Sequence, residues 1–228
     1  MSIDKFQMIV KTILAMAGIF IALPAQNLPL TWTQSYGTYD GAGVLSAGSY
    51  ALGFGVNNFC LYAPTSDSVA YDEHRFDLWA RLGLFKNAEL EVKYSSPTCA
   101  VLGMKYLFLD HGFSGAVKLG IGYMKGTRAN YLTDYVYDFY PTLLLSQCLF
   151  GSVRVCVAPK IIYSIHQRDR QEHTTRSPRH IFQYGFGAGL QLGDNFSVRP
   201  ETNWLWADNE GVTYLVNQFG IGVSLLIR

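Results

Sequence analysis

The segment SYALGFGV, residues 49–56, alternates between two kinds of side chain. Bulky apolar residues occupy Tyr50, Leu52, Phe54 and Val56, and only serine, alanine and glycine stand between them. Successive side chains of a β-strand point to opposite faces, so this period of two predicts a strand with one apolar face and one face of small residues.

The same alternation recurs along the rest of the chain. Bulky apolar residues occupy every second position for much or all of nine further segments: 76–84, 90–94, 102–108, 117–123, 135–145, 153–163, 182–190, 196–206 and 219–225. The sequence therefore predicts about ten strands, which is an even number.

The predicted connections alternate in length. Short ones at 86–87, 110–112, 147–151 and 193–195 separate longer ones at 58–74, 95–100, 125–134, 167–179 and 207–213. Short periplasmic turns and longer outer loops are typical of transmembrane barrels. We predict an all-β fold, an antiparallel up-and-down β-barrel that spans a membrane.

The chemistry of the two faces favours a membrane barrel over a soluble one. A soluble barrel is apolar inside and polar outside. Here the apolar face is aromatic and nearly uncharged, whereas the other face mixes charges with glycine, for example Gly120, Gly187 and Gly222. Glycine weakens an exposed strand, but its small size suits a narrow lumen. We therefore expect the apolar face to meet lipid.

The start of the chain has the pattern of a secretory signal. Lys5 and Lys11 precede a short apolar run over 13–23, and Leu23-Pro24-Ala25 supplies a small residue for cleavage. We predict a signal peptide over 1–25, an N-terminal periplasmic segment or extra strand over 26–47, and the barrel over 48–228. Within the second part, residues 40–43 (DGAG) are interpreted as a turn or linker.

Composition limits the partners. Charged residues are 15% of the chain, against about a quarter in soluble domains. The formal net charge of +1 gives no reason to expect nucleic acid. The sequence has neither a phosphate-binding glycine loop nor a CxxC pair, so we predict no cofactor and no metal site.

The last predicted strand resembles the β-signal of bacterial outer-membrane proteins, in which a polar residue, a glycine and two hydrophobic residues stand at fixed spacing. Gln218, Gly220, Val223 and Leu225 match those four positions, although the chain ends in Leu226-Ile227-Arg228 instead of an aromatic residue. The resemblance implies a small outer-membrane barrel that the barrel-assembly machinery recognises, with outer-membrane lipid as its surroundings.

Charged residues on the second face are the candidate lumen residues. They are Asp77, Arg81, Glu89, Glu91, Lys93, Lys105, Lys118, Asp138, Arg154, Lys160, Arg199 and Glu201. Two interpretations stay open: the charges pair across the lumen and plug it, or they line a narrow channel with the glycines of strands one, eight and ten as an open wall. Either makes the chain a structural or narrow-pore protein of the outer membrane and not an enzyme.

The outer loops suggest alternatives. An adhesin or receptor would act through them, and a basic fourth loop over 167–179 would suit lipopolysaccharide phosphates. Outer-membrane proteases of the omptin type carry acidic residues and a His-Asp pair on such loops. Superficially similar residues here are Asp72, Glu73, His74, His166, Asp169, Glu172 and His173. Cys60 and Cys99 lie near loops on the same predicted side, which makes a disulfide between them a further hypothesis.

Overall fold

The computed structural model describes residues 37–62, 69–96, 99–128, 132–170, 178–209 and 211–228. The ten strands are β1 (Tyr50–Tyr62), β2 (Val69–Phe85), β3 (Ala88–Ser95), β4 (Cys99–His111), β5 (Phe113–Arg128), β6 (Leu132–Phe150), β7 (Val153–Arg170), β8 (Arg179–Leu192), β9 (Phe196–Asn209) and β10 (Val212–Ile227). No helix in these ranges is long and apolar enough to cross a membrane.

The strands form one closed antiparallel barrel. Each strand pairs with its neighbours in sequence, and β1 closes the sheet against β10 with Tyr50 opposite Ile227 and Tyr62 opposite Leu215. Closure pairs the strand edges that would otherwise be exposed in hydrocarbon. The predicted fold class is confirmed.

The two ends of the barrel differ. At one end the turns are short, and Gly112, Gly151 and Gly193 in them have positive φ values of 73°, 52° and 97°, which glycine adopts without steric cost. At the other end the strands run on beyond the apolar alternation, so several connections are shorter than predicted. The β9–β10 connection, for example, leaves only 210–211 between the strands. We call the two ends the turn end and the loop end.

The outward and inward faces are inverted relative to a soluble protein. Large apolar side chains point outward and are exposed, among them Ile121 at 65%, Leu102 at 54% and Phe219 at 54%. Charged side chains point inward and are buried, among them Asp77 at 0% and Glu89 at 2%. The period of two thus places apolar groups outside and polar groups in the lumen, as expected.

Residues 37–48 lie inside the lumen and form what we call the luminal segment. It leaves β1 at the turn end, where the Gly48 backbone N–H donates to the Gly83 carbonyl at 2.9 Å, and runs toward the middle of the barrel. Tyr39 and Ala42 are 1% and 0% exposed. The structure describes residues 37–47 of the predicted segment 26–47. These residues lie inside the barrel and contain no extra strand. The predicted signal peptide and residues 26–36 lie outside the described residues.

Candidate functional site

The centre of the lumen is built around one carboxylate, that of Asp40. Its Oδ1 lies 3.1 Å from Arg81 Nη1, 3.0 Å from Lys105 Nζ and 3.5 Å from Arg199 Nη1, and its Oδ2 lies 3.6 Å from Lys118 Nζ. These four cations come from β2, β4, β9 and β5. A residue of the luminal segment is thus held by four different strands of the wall.

Two carboxylates of β3 extend this cluster. Glu91 pairs with Arg81 at 2.7 Å and with Lys118 at 2.6 Å, and Glu89 pairs with Lys105 at 3.1 Å. Buried charges need this density of partners, because each ion loses several kcal/mol of hydration on burial. The lumen charges therefore pair across the barrel, as one of the two sequence interpretations required.

The backbone of the luminal segment is also bonded to the wall. Glu201 accepts hydrogen bonds from the Thr38 N–H at 2.8 Å and from the Tyr39 N–H at 2.6 Å. Arg81 and Arg199 donate to the Tyr39 carbonyl at 2.8 and 2.9 Å. Buried backbone N–H and C=O groups are costly when they lack hydrogen bonds. These side chains therefore supply the hydrogen bonds that a neighbouring strand would supply in a sheet.

Tyr39 fills the space that the wall glycines leave. Its ring stacks on Trp79 of β2, with the centroids 5.1 Å apart and the planes at 12°. A Cβ at Gly222 would lie 2.7 Å from Tyr39, one at Gly220 2.3 Å from the Tyr39 hydroxyl, and one at Gly53 2.1 Å from Trp79. The alternative interpretation, in which the glycines of strands one and ten form an open wall, does not hold, because Tyr39 and Trp79 occupy that space.

Tyr39 adopts a backbone conformation that bulky residues rarely use. Its φ is 41°, and no other non-glycine residue in the described ranges has a positive φ. Such a conformation costs on the order of 1–3 kcal/mol and persists only where the surroundings fix it. Three kinds of contact fix it: the stack on Trp79, the hydrogen bond that the Tyr39 N–H donates to Glu201, and those that Arg81 and Arg199 donate to the Tyr39 carbonyl.

Apolar side chains close the loop half of the lumen. Phe59, Ile162, Leu205 and Val216 point inward, are at most 2% exposed and pack together, and a second cluster joins Met124 to Val136. This apolar layer was not among the features predicted from the sequence. The signal was present, since these bulky residues stand at inward positions of their strands, where they interrupt the alternation with small and polar residues.

The turn half of the lumen holds a polar cavity of about 600 Å³, which we call the vestibule. It is lined by Asp40, Arg81, Glu89, Lys105, Arg154 and Arg199 among others. The Arg154 and Asp194 side chains at its rim are 42% and 50% exposed, so the vestibule communicates with solvent. A much smaller cavity of about 40 Å³ lies at Gly37 and Thr38.

Most of the candidate lumen residues are buried inside the barrel. The buried ones are Asp77, Arg81, Glu89, Glu91, Lys93, Lys105, Lys118, Asp138, Lys160 and Glu201. Arg199 is partly buried beside Asp40. Arg154 is different: it lines the vestibule but pairs with Asp194 at 3.2 Å at the rim, so it lies at the mouth of the lumen and not among the buried charges. It is the second residue of β7, so its inward-facing side chain reaches only the mouth of the barrel.

Cys60 and Cys99 do not form the proposed disulfide, and both are free thiols. Cys60 shares the outward face of β1 with Phe54 and Val56, whereas Cys99 points inward on β4 and is 1% exposed. Strands β1 and β4 are three spacings apart, roughly 14 Å, and a disulfide needs Cα atoms within about 7 Å. The disulfide was predicted because both cysteines lie near the same end of the barrel, but that does not place them on the same face or on neighbouring strands.

The candidate hydrolytic residues that the structure describes do not lie together in one site. On β2, Asp72 and His74 lie on the outward face, and Glu73 points inward and pairs with Arg75 at 2.6 Å. His166 on β7 is buried at 8%. Glu172 and His173 lie outside the described residues, as does the side chain of Asp169. Within the described ranges no group of histidine, cysteine, aspartate and glutamate side chains has the arrangement of a metal site.

The residues of the proposed assembly signal lie on β10. Gln218 points into the lumen and donates to Asn57 Oδ1, Gly220 lies beside Tyr39, and Leu225 is exposed on the outward face. The strand that would carry the signal is thus the one that closes the barrel against β1. Recognition of this strand by the assembly machinery stays a prediction.

These features define the class of protein. An even number of antiparallel strands, short turns at one end, an apolar aromatic exterior and a polar filled interior are the architecture of a bacterial outer-membrane β-barrel. A wall of this chemistry is stable in a lipid bilayer, because its exposed apolar belt would otherwise face water.

Comparison with known proteins shows that this chain is similar to solved structures in fold. No protein-family model and no curated protein sequence matches this chain. Solved structures that it resembles include Ail, the attachment invasion locus protein of Yersinia pestis, at 10% identity and a TM-score of 0.43, covering 78% of this chain and 98% of that one. Neisserial surface protein A matches at 8% identity and a TM-score of 0.40, covering 77% and 96%. The outer membrane protease OmpT from Escherichia coli matches at 8% identity and a TM-score of 0.41, covering 82% and 99%.

Proposed function

We propose that the protein is a structural, non-enzymatic barrel of the outer membrane whose own luminal segment keeps it closed to solutes. The observation that carries this proposal is the position of residues 37–48, which occupy the lumen through the Asp40 cluster and the Tyr39–Trp79 stack. The apolar side chains of the loop half add a second closure above them.

The wild-type barrel is expected to conduct no ions. Purified protein would be reconstituted into planar bilayers, and an open porin in the same lipid would show that the assay detects single channels. We expect a flat current trace at every voltage, because the ion cluster around Asp40 and the apolar layer of the loop half both lie across the described part of the lumen. Discrete conductance steps from the wild-type protein would contradict a closed structural barrel.

A gated narrow pathway for small solutes is the second candidate, and the vestibule favours it. A cavity of about 600 Å³ already opens the turn half to solvent, so a pathway requires changes only in the rest of the lumen. The variant Tyr39→Ala/Asp40→Asn removes the Tyr39 ring and the Asp40 charge, which are two of the groups that hold the luminal segment in place. Conductance of this variant, with a silent wild type, would favour the gated pathway. Silence of both would favour the structural role.

A further inference from the structure

We infer that the cations around Asp40 form a binding site for a small carboxylate anion, which the Asp40 side chain occupies as a tethered ligand. The site comprises Arg81, Lys105, Lys118 and Arg199. It opens on the vestibule and does not require a pore, so it is independent of whether the barrel conducts.

The contacts are those of a carboxylate receptor. Lys105 Nζ contacts both carboxylate oxygens, at 3.0 and 3.1 Å, while Arg81 and Arg199 approach Oδ1 and Lys118 approaches Oδ2. Charge-assisted hydrogen bonds of this kind are stronger than neutral ones. Oδ1 therefore lies near three cationic groups and Oδ2 near two, of which Lys118 at 3.6 Å is an ion-pair contact.

The balance of charge in the cluster favours an anion at the position of the Asp40 carboxylate. Together with Glu89 and Glu91, Asp40 supplies three carboxylates against the four cations. Without the Asp40 carboxylate, four cations would face two carboxylates. Buried like charges repel strongly in a medium of low dielectric constant, so an emptied site would bind an anion from solution.

The vestibule gives an external anion a route to the site. Asp40, Arg81, Lys105 and Arg199 all line it, and its rim reaches solvent at Arg154 and Asp194. Its volume of about 600 Å³ exceeds what a small carboxylate needs. Anions would enter from the turn end, which is the periplasmic side of such a barrel.

Acetate is the probe that tests this inference, with the variant Asp40→Ala, which removes the tethered carboxylate and leaves space for a free one. Thermal unfolding and folding yield into lipid vesicles would be measured in sodium acetate and in sodium chloride of equal ionic strength. We expect acetate to restore stability. At about 100 mM, with a dissociation constant on the order of 10 mM, it would raise the ratio of folded to unfolded protein about tenfold.

Matched variants show whether the rescue occurs at this site. Asp40→Asn fills the space with a neutral amide and should not respond to acetate, nor should the wild type or the exposed-site variant Asp194→Ala. Arg199→Gln in the Asp40→Ala background should weaken the rescue. If Asp40→Ala folds poorly, the folding yield itself is the readout, and acetate should increase it. Equal behaviour of Asp40→Ala in acetate and chloride, in both assays, would overturn the inference.

Discussion

Replacement of Asp40 by asparagine is expected to lower the free energy of unfolding by about 3–5 kcal/mol, the cost of removing one member of a buried ion pair. The substitution keeps the shape of the side chain and removes its charge. Arg81, Lys105, Lys118 and Arg199 would then remain buried around a neutral amide, and each would retain less compensation for its lost hydration. Urea unfolding in detergent micelles, followed by tryptophan fluorescence, measures the change.

Asp194→Asn is the matched control for this substitution. Asp194 pairs with Arg154 at 3.2 Å, but both side chains are about half exposed. Pairs of this kind contribute about 0–1 kcal/mol, because water already solvates both charges. Equal losses of stability for the two variants would mean that Asp40 is not buried among cations.

A double substitution at Trp79 and Gly53 is expected to be strongly non-additive. Trp79→Ala should cost about 3–5 kcal/mol, since it removes one of the largest buried side chains and the ring on which Tyr39 stacks. Gly53→Ala should cost about 1–3 kcal/mol, because its Cβ would lie 2.1 Å from the Trp79 ring. In the double variant the added methyl group has no ring to meet.

The cost of the double variant should therefore be smaller than the sum of the two single costs. Coupling of about 0.5–3 kcal/mol is usual for residues in contact. Gly103→Ala is the control glycine, because the nearest atom to its Cβ would be the flexible end of Lys118 at 3.4 Å. Combined with Trp79→Ala, it should be additive. Additivity of the Gly53 pair would show that the ring does not lie against β1.

The alternation of side chains predicted the wall of the barrel well. The extended backbone of a strand points successive side chains to opposite faces, so neighbours such as Phe54 and Gly55, or Ile121 and Gly122, show the orientation of the strand locally. The same rule placed Arg81, Glu91 and Lys118 in the lumen. The alternation gives the direction of a side chain but not its depth in the barrel, and this is why it could not tell that Arg154, at the start of β7, lies at the exposed rim while the other lumen charges are buried.

The filling of the lumen could not be predicted in the same way. Asp40 stands in a glycine-rich stretch that has the composition of a turn, and its four partners are 41 to 159 residues away in sequence. The glycines near β1 and β10 indicate missing volume, but the sequence does not say whether water, a solute or the chain itself occupies it. In the structure the Tyr39 ring occupies this volume. The ring fits there because closure of the barrel brings Trp79 and the glycines of β1 and β10 together.

The position of the luminal segment is the central claim, and a single cross-link tests it most directly. An ideal Cβ at Gly41 lies 3.2 Å from the native Cys156 Sγ, a spacing close to that of a disulfide.

The variant Gly41→Cys, with Cys148 and Cys60 changed to serine, would be oxidised in the folded barrel and its peptides identified by mass spectrometry. We predict a bond between residues 41 and 156. Gly43→Cys, whose Cβ has no atom within 4 Å, should not form one. Failure of Gly41→Cys to cross-link in folded protein, or equal cross-linking from position 43, would contradict a segment seated in the lumen.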